Sequence, residues 1–159
     1  MVSFTSFALR KKESRIYDLT KENYLDCIRL NLHPEQEENL ASNAITIAQS
    51  RFETDYRLKV IYEQETVIGL LAFCHEDEPL DYSIYWLFRF MIDKDHQNKG
   101  YGKRVLSLLV EEVKRLGGKT LLTMHKPTNQ QAGKLYRAFG FHEDGVLDDG
   151  DISLRLRLN

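Results

Sequence analysis

The stretch Ile92-Asp93-Lys94-Asp95-His96-Gln97-Asn98-Lys99-Gly100-Tyr101-Gly102-Lys103 holds the residue types and spacing best suited to chemistry. An apolar, β-favouring run enters it and a helical run leaves it. Glycine at such a turn reaches positive φ and lets the backbone approach a ligand closely. The first free N–H groups of the following helix then point at one spot, where they and the helix dipole attract phosphate. Each exposed charge–dipole contact is worth about 0.3–1 kcal/mol, so several together could hold a pyrophosphate. Two familiar phosphate loops fail on spacing. A P-loop needs glycine where Gln97 stands and Ser or Thr where Arg104 follows Lys103. The dinucleotide fingerprint needs Gly or Ala where Val105 stands. What remains, Q-x-x-G-x-G after a buried strand, reads either as a phosphate cradle or as a glycine-rich β–α turn without ligand. His96 and His125 read as solvated or packed side chains. Cys27 and Cys74 form no CxxC pair, so neither a disulfide framework nor a zinc site is expected, and a reducing cytoplasm fits.

The elements that must carry this loop follow from periodicity and turn residues. Arg15 to Leu19 reads as a strand, with Thr20 as N-cap of a helix over Lys21–Leu32. After Pro34, Glu35 to Arg51 reads as a second helix; Glu35, Glu37 and Glu38 suit its positive end, and Leu40, Ala41, Ala44, Ile45, Ile47 and Ala48 give it an apolar stripe. Leu58–Tyr62 and Val67–Phe73 flank a short turn as a hairpin. The acidic segment His75–Pro79 reads as a loop, and the aromatic run Tyr82–Ile92 as a central buried strand. Lys103–Leu116 is a helix stopped by Gly117-Gly118, Thr120–Met124 a strand, Asn129–Phe139 a short helix, and Val146-Leu147 a minor strand. Ile152 to Leu158 alternates with period two, as a half-buried strand does; it pairs either within its own sheet or across a dimer. This order is a mixed α/β sheet with helices on its faces.

A chain of 159 residues sets a prior of one domain, 1–159. With 42% hydrophobic and 29% charged residues, the composition is that of a globular protein and excludes a disordered chain. The formal net charge of −2, from 22 basic and 24 acidic residues, disfavours a broad footprint for nucleic acid or anionic lipid. No run of about 18 apolar residues marks a membrane span, and residues 1–10 hold no apolar core of signal-peptide length.

Two motifs give this chain a family resemblance. The first is Phe90-Met91-Ile92-Asp93 followed by Gln97-Asn98-Lys99-Gly100-Tyr101-Gly102. The second, Asn129 to Phe141, resembles N-x-x-A-x-x-L-Y-x-x-x-G-F at every fixed position. Together they resemble the GNAT superfamily of acetyl-CoA-dependent N-acyltransferases, in the order of elements over roughly residues 15–158. The resemblance implies a mostly antiparallel central sheet of six to seven strands with helices on both faces. It also implies acetyl-CoA as cosubstrate. Phe90, Met91 and Ile92 match the strand that pairs with the pantetheine arm; Gln97, Asn98, Lys99, Gly100, Tyr101, Gly102 and Lys103 match the pyrophosphate loop. Asn129 matches a cofactor contact, and reads equally as the N-cap of its helix. Tyr136 matches the general acid that protonates the departing sulfur; at helical spacing it also reads as a core aromatic. A phenol with a pKa near 10 is protonated at neutral pH and can donate.

The acceptor is less legible. Asn31 to Asn43, with Gln36 and Asn43 as the central match, and Trp86 to Asp93 resemble the bacterial spermine/spermidine (diamine) acetyltransferases. Asn39 and Phe88 depart from that pattern, where an aromatic and an acid often stand. A polyamine is a flexible polycation that separated carboxylates would attract. Glu35 and Glu38 are the candidates taken forward, with Glu37, Glu76, Asp77, Glu78 and Asp81 behind them; each also reads as a solvated charge. Glu38 or a water chain could serve as base. The alternatives are acetylation of an aminoglycoside, an amino acid or a protein N-terminus, or a noncatalytic acyl-CoA-binding module.

Overall fold

A computed structural model describes residues 13–159. The N-terminal segment, to which the sequence assigns no element, lies outside the described residues up to position 12. Seven strands form one sheet in the order β1-β2-β3-β4-β5-β7-β6. They are β1 (Ser14–Asp18), β2 (Arg57–Glu63), β3 (Thr66–Asp77), β4 (Leu80–Ile92), β5 (Thr120–His125), β6 (His142–Val146) and β7 (Ile152–Arg157). Every neighbouring pair is antiparallel except β4 and β5. The helices are α1 (Tyr24–Ile28), α2 (Asn43–Gln49), α3 (Tyr101–Arg115) and α4 (Gln130–Phe139).

The sheet carries a core on each face. On one face α3 inserts Val105, Leu106, Leu109 and Val113 against Ile61, Phe73 and Leu87, with Tyr136 and Phe141 completing the layer. On the other, Cys27 of α1 and Ile47 of α2 pack with Val60, Leu70, Ala72 and Met91. β7 pairs with β5 on one side and β6 on the other, so the terminal strand closes the chain's own sheet. Among the described residues no helix is long and apolar enough to cross a membrane.

The expected helix over Glu35–Arg51 is two elements. A 3₁₀ turn spans Pro34–Asn39, Leu40 is extended at φ −141°, and α2 starts afresh behind Ser42. Ser42 Oγ accepts from the Ile45 N–H at 3.2 Å, a side-chain cap that satisfies one of the free donors of a helix start. The apolar stripe shifts with it: Thr46 is buried and Ile45 is 52% exposed.

The helix expected over Lys21–Leu32 shrinks to α1. Its C-terminal continuation is drawn off by tertiary bonds, Asn31 N–H to Asp93 Oδ1 at 2.8 Å and Lys94 N–H to the Asn31 carbonyl at 2.8 Å. The acidic segment read as a loop is strand and tight turn. β3 runs to Asp77 and β4 starts at Leu80, with Trp86 Nε1 donating to Glu76 Oε2 at 2.9 Å across the pair.

Candidate active site

β4 and β5 pair only over Ile84–Leu87 and Thr120–Thr123, although β4 continues to Ile92. Beyond Leu87 the strands part and leave a wedge. Two local features set the parting. The β3–β4 register runs Ala72↔Arg89 and then Phe73↔Leu87, so Phe88 is an extra residue on β4. Such a bulge bends a strand and ends its regular pairing. At the apex, Thr123 Oγ1 donates to the Leu87 carbonyl at 2.8 Å, putting a side chain where the ladder stops.

A cavity of about 360 Å³ fills the wedge. β4 supplies Phe90, Met91 and Ile92; the β4–α3 loop supplies Gln97, Asn98 and Gly100; the first turn of α3 supplies Tyr101, Gly102 and Lys103; α4 and its cap supply Asn129 and Tyr136. All of these are positions singled out from the sequence. Lys99 is not in the lining; its ammonium donates to the Asp95 carbonyl at 3.1 Å. Asn129 caps α4, its Oδ1 accepting from the Ala132 N–H at 3.3 Å, and also lines the cavity.

Asn98 and Gly100 both have positive φ, +59° and +83°. The second places Gly100 as a left-handed cap of α3 with no side-chain hydrogen bond to the helix's first turn. The helix start therefore offers its own N–H groups to a ligand. Gly102 serves a different need: a Cβ there would lie 2.9 Å from Leu135 Cδ2, where α3 and α4 come together behind the cavity.

Tyr136 is 5% exposed and packs edge-on to Phe141 with ring centroids 5.5 Å apart. Burial pushes its phenol up to about 12, with the neighbouring Thr123 hydroxyl pulling slightly the other way. Tyr101, at the start of α3, is also raised to about 12, by burial first and then by its hydrogen bond with Glu63.

Of the residues that close the cavity, only Gln97 was singled out from the sequence as a site residue. Gln36, in the 3₁₀ turn, donates from Nε2 to Gln97 Oε1 at 2.9 Å and to Gln131 Oε1 at 2.8 Å. Gln97 returns a bond to Gln36 Oε1 at 2.9 Å and donates to the Ile92 carbonyl at 3.0 Å. Three amides thus tie the 3₁₀ turn to both the loop and α4. Lys126 adds a bond from its ammonium to the Glu38 carbonyl. Asp93, nearly buried, accepts from the N–H groups of Asn31 at 2.8 Å and Asp95 at 3.2 Å, which fixes the turn's approach to the loop. Of these, Gln36 lay in the stretch resembling diamine acetyltransferases; the partners Gln131 and Asp93 carried no signal beyond their positions in the two motifs.

A second cavity, about 310 Å³, adjoins the first and shares Leu32, Leu40, Phe90 and Met91 with it. It lies on the α1–α2 side of β4. Its charged lining residues are Glu37 and Arg89. Glu35 and Glu38 are exposed and line neither cavity. Among the described residues no group of three or more His, Cys, Asp or Glu side chains could hold a metal ion.

Residues 14–141 match the acetyltransferase (GNAT) family. The chain is 27% identical over 134 residues to the spermine/spermidine N(1)-acetyltransferase of Bacillus subtilis (strain 168), covering 82% of this chain and 88% of that protein. Among solved structures, spermidine N-acetyltransferase from Vibrio cholerae in complex with CoA and spermine superposes with a TM-score of 0.74 at 15% identity, over 93% of this chain and 97% of the other. The ribosomal-protein-S18-alanine N-acetyltransferase from Escherichia coli superposes with a TM-score of 0.68 at 19% identity, over 92% and 95%. At these identities the structural likeness speaks to the fold.

Proposed function

The chain belongs to the acetyltransferase (GNAT) family, and from that premise we propose that it moves the acetyl group of acetyl-CoA to a primary amine of a small molecule, with a polyamine such as spermine or spermidine as acceptor. The observation that carries this reading is the wedge. Among the described residues, a strand edge without a partner, a helix start without a side-chain cap and a buried phenol all line one cavity. In this reading the pantetheine arm lies along Phe90, Met91 and Ile92, and the pyrophosphate at Asn98–Lys103.

In the proposed reaction the neutral amine nitrogen attacks the thioester carbonyl carbon. A C–N bond forms and negative charge gathers on the carbonyl oxygen, where backbone N–H groups of the splayed β4 stabilise it. The C–S bond then breaks. Tyr136 supplies a proton or a hydrogen bond to the leaving sulfur. The amide nitrogen sheds one proton as the sulfur gains one, so amine and acetyl-CoA give amide and CoA thiol. The polyamine reading draws on the Bacillus relative and on Glu37, which lines the cavity beside the reacting strand. Glu35 and Glu38, exposed on the same turn, would act at longer range on an approaching polycation. Screening limits that reach to about 8 Å at physiological salt.

Thiol release from acetyl-CoA, measured with spermine, spermidine, putrescine, an aminoglycoside, amino acids and an N-terminal peptide, tests the proposal. Turnover concentrated on the polyamines is expected. Turnover on the peptide alone would overturn the acceptor assignment, and acetyl-CoA binding without turnover on any amine would favour a binding module.

A further inference from the structure

Arg89 is the charged group in the acceptor-side cavity that the proposed reaction does not yet use. It sits on the α1–α2 face of β4, one residue beyond the bulge and next to Phe90 and Met91, which both cavities share. Its side chain is half-buried. Nη1 donates to the Phe88 carbonyl at 2.9 Å, but Nε is buried with no hydrogen-bond partner, and no carboxylate is paired with the guanidinium among the described residues. Buried charges are ordinarily paired, because an unpaired one is costly. Around it, the 3₁₀ turn brings Glu37 to the same cavity, and Tyr56 precedes β2 with its phenol raised, by burial first. Cys27 of α1 is held neutral, its thiol pushed up to about 12 by burial. The other charges on and after α1, Asp26 and Arg29, are exposed and pair with each other at 3.8 Å. α2 contains no ionisable side chain, and β3 reaches the cavity with Leu70.

An amine attacks a thioester only when neutral, yet an alkylammonium group like that of lysine loses its proton near pH 10.4. A fixed positive charge nearby disfavours the ammonium form, as a like charge does for any titrating group. Resting on the acetyl-transfer reading above, we propose that Arg89 selects the neutral form of the attacking amine. Its unpaired guanidinium repels an ammonium at the Phe90 end of the cavity, while Glu37 holds the acceptor's distal ammonium on the opposing 3₁₀ turn. One polyamine molecule then binds with its two ends in different charge states, which also fixes which end is acetylated. The same repulsion weakens ground-state binding, so Arg89 favours turnover at the expense of affinity.

The test is the pH dependence of the single-turnover rate at saturating spermidine, because the bound complex reports the amine's ionisation in place, whereas kcat/KM reports the free amine. For the wild type, the rate should rise to its plateau at least about one pH unit below the free amine's pKa, the size of shift a nearby charge produces. Arg89→Gln should move that midpoint up by a similar amount and lower KM for spermidine, with acetyl-CoA affinity unchanged. Arg89→Lys, which keeps the charge, should keep the midpoint. A wild-type midpoint equal to that of the free amine overturns the inference without any variant, as does an Arg89→Gln profile identical to the wild type. If Arg89 instead reads a carboxylate, Arg89→Gln raises KM for amino acids and leaves the profile in place, which also overturns it. Absence of turnover with every amine overturns the acetyl-transfer reading and this inference together; turnover with an unmoved midpoint overturns the inference alone.

Discussion

Replacing Tyr136 by Phe removes one oxygen from a ring that is 5% exposed and leaves the packing against Phe141 in place. General acid assistance is worth about 10²–10⁴-fold, which is about 2.7–5.4 kcal/mol of barrier. The raised phenol places Tyr136 within that range. With its phenol pushed up to about 12 by burial, above the ordinary range of a thiol, full proton transfer to the leaving thiolate is uphill. In the proposed mechanism a hydrogen bond to the developing sulfur charge would therefore be the larger part of its role, and the loss in kcat should fall near the lower end, about 100-fold. Stability should fall by no more than about 1 kcal/mol, the net worth of one hydrogen bond. Steady-state thiol release gives kcat, calorimetric titration gives acetyl-CoA affinity, and urea denaturation gives stability. A kcat within threefold of wild type would remove Tyr136 from the reaction. A large fall in cofactor affinity would make its role one of shape.

Gly100→Ala should raise KM for acetyl-CoA several-fold and cost about 1–2 kcal/mol in stability; its φ of +83° is strained for any residue with a Cβ, although space around it is open. An unchanged KM would detach this loop from the cofactor. Gln36→Ala should free the 3₁₀ turn from Gln97 and Gln131, seen as faster amide exchange over residues 34–41; equal protection would show that the amide clasp does not hold the turn. Alkaline titration should reveal a loss of stability as pH rises from about 10 through 12. Unfolded phenols ionise near pH 10, while Tyr136 and Tyr101 keep their protons to about 12 in the folded chain. Stability that stays level across that window in urea melts would contradict the burial assigned to both rings.

The fold was legible wherever local pattern and tertiary demand agree. The alternation of Ile152–Leu158, the apolar face of α3 and the aromatic run into Ile92 each state one period, and each became the element expected. It was illegible where distant groups decide. Nothing local says that Asn31 will bond Asp93, yet that bond ends the first helical segment. The break at Leu40 follows from Ser42, a good N-cap set inside a run of good helix formers. The glycines and the strand–turn–helix order marked the loop that lines the first cavity, while Phe90, Met91, Ile92, Asn129 and Tyr136 stood out only through the family resemblance. The acceptor half was less legible. Carboxylates at Glu35 and Glu38 stand out in sequence, but a 3₁₀ turn has a different period from the α-helix expected there. It turns Gln36 inward, sets the exposed Glu37 at the lining of the second cavity, and leaves those two away from both cavities.

Mass spectrometry of spermidine incubated with the protein and acetyl-CoA reads acetyl transfer to a polyamine directly. Mono-acetylated spermidine should form in step with free CoA thiol, at a rate that Tyr136→Phe reduces about 100-fold. Unmodified spermidine alongside intact acetyl-CoA, from folded protein that binds the cofactor, would contradict it.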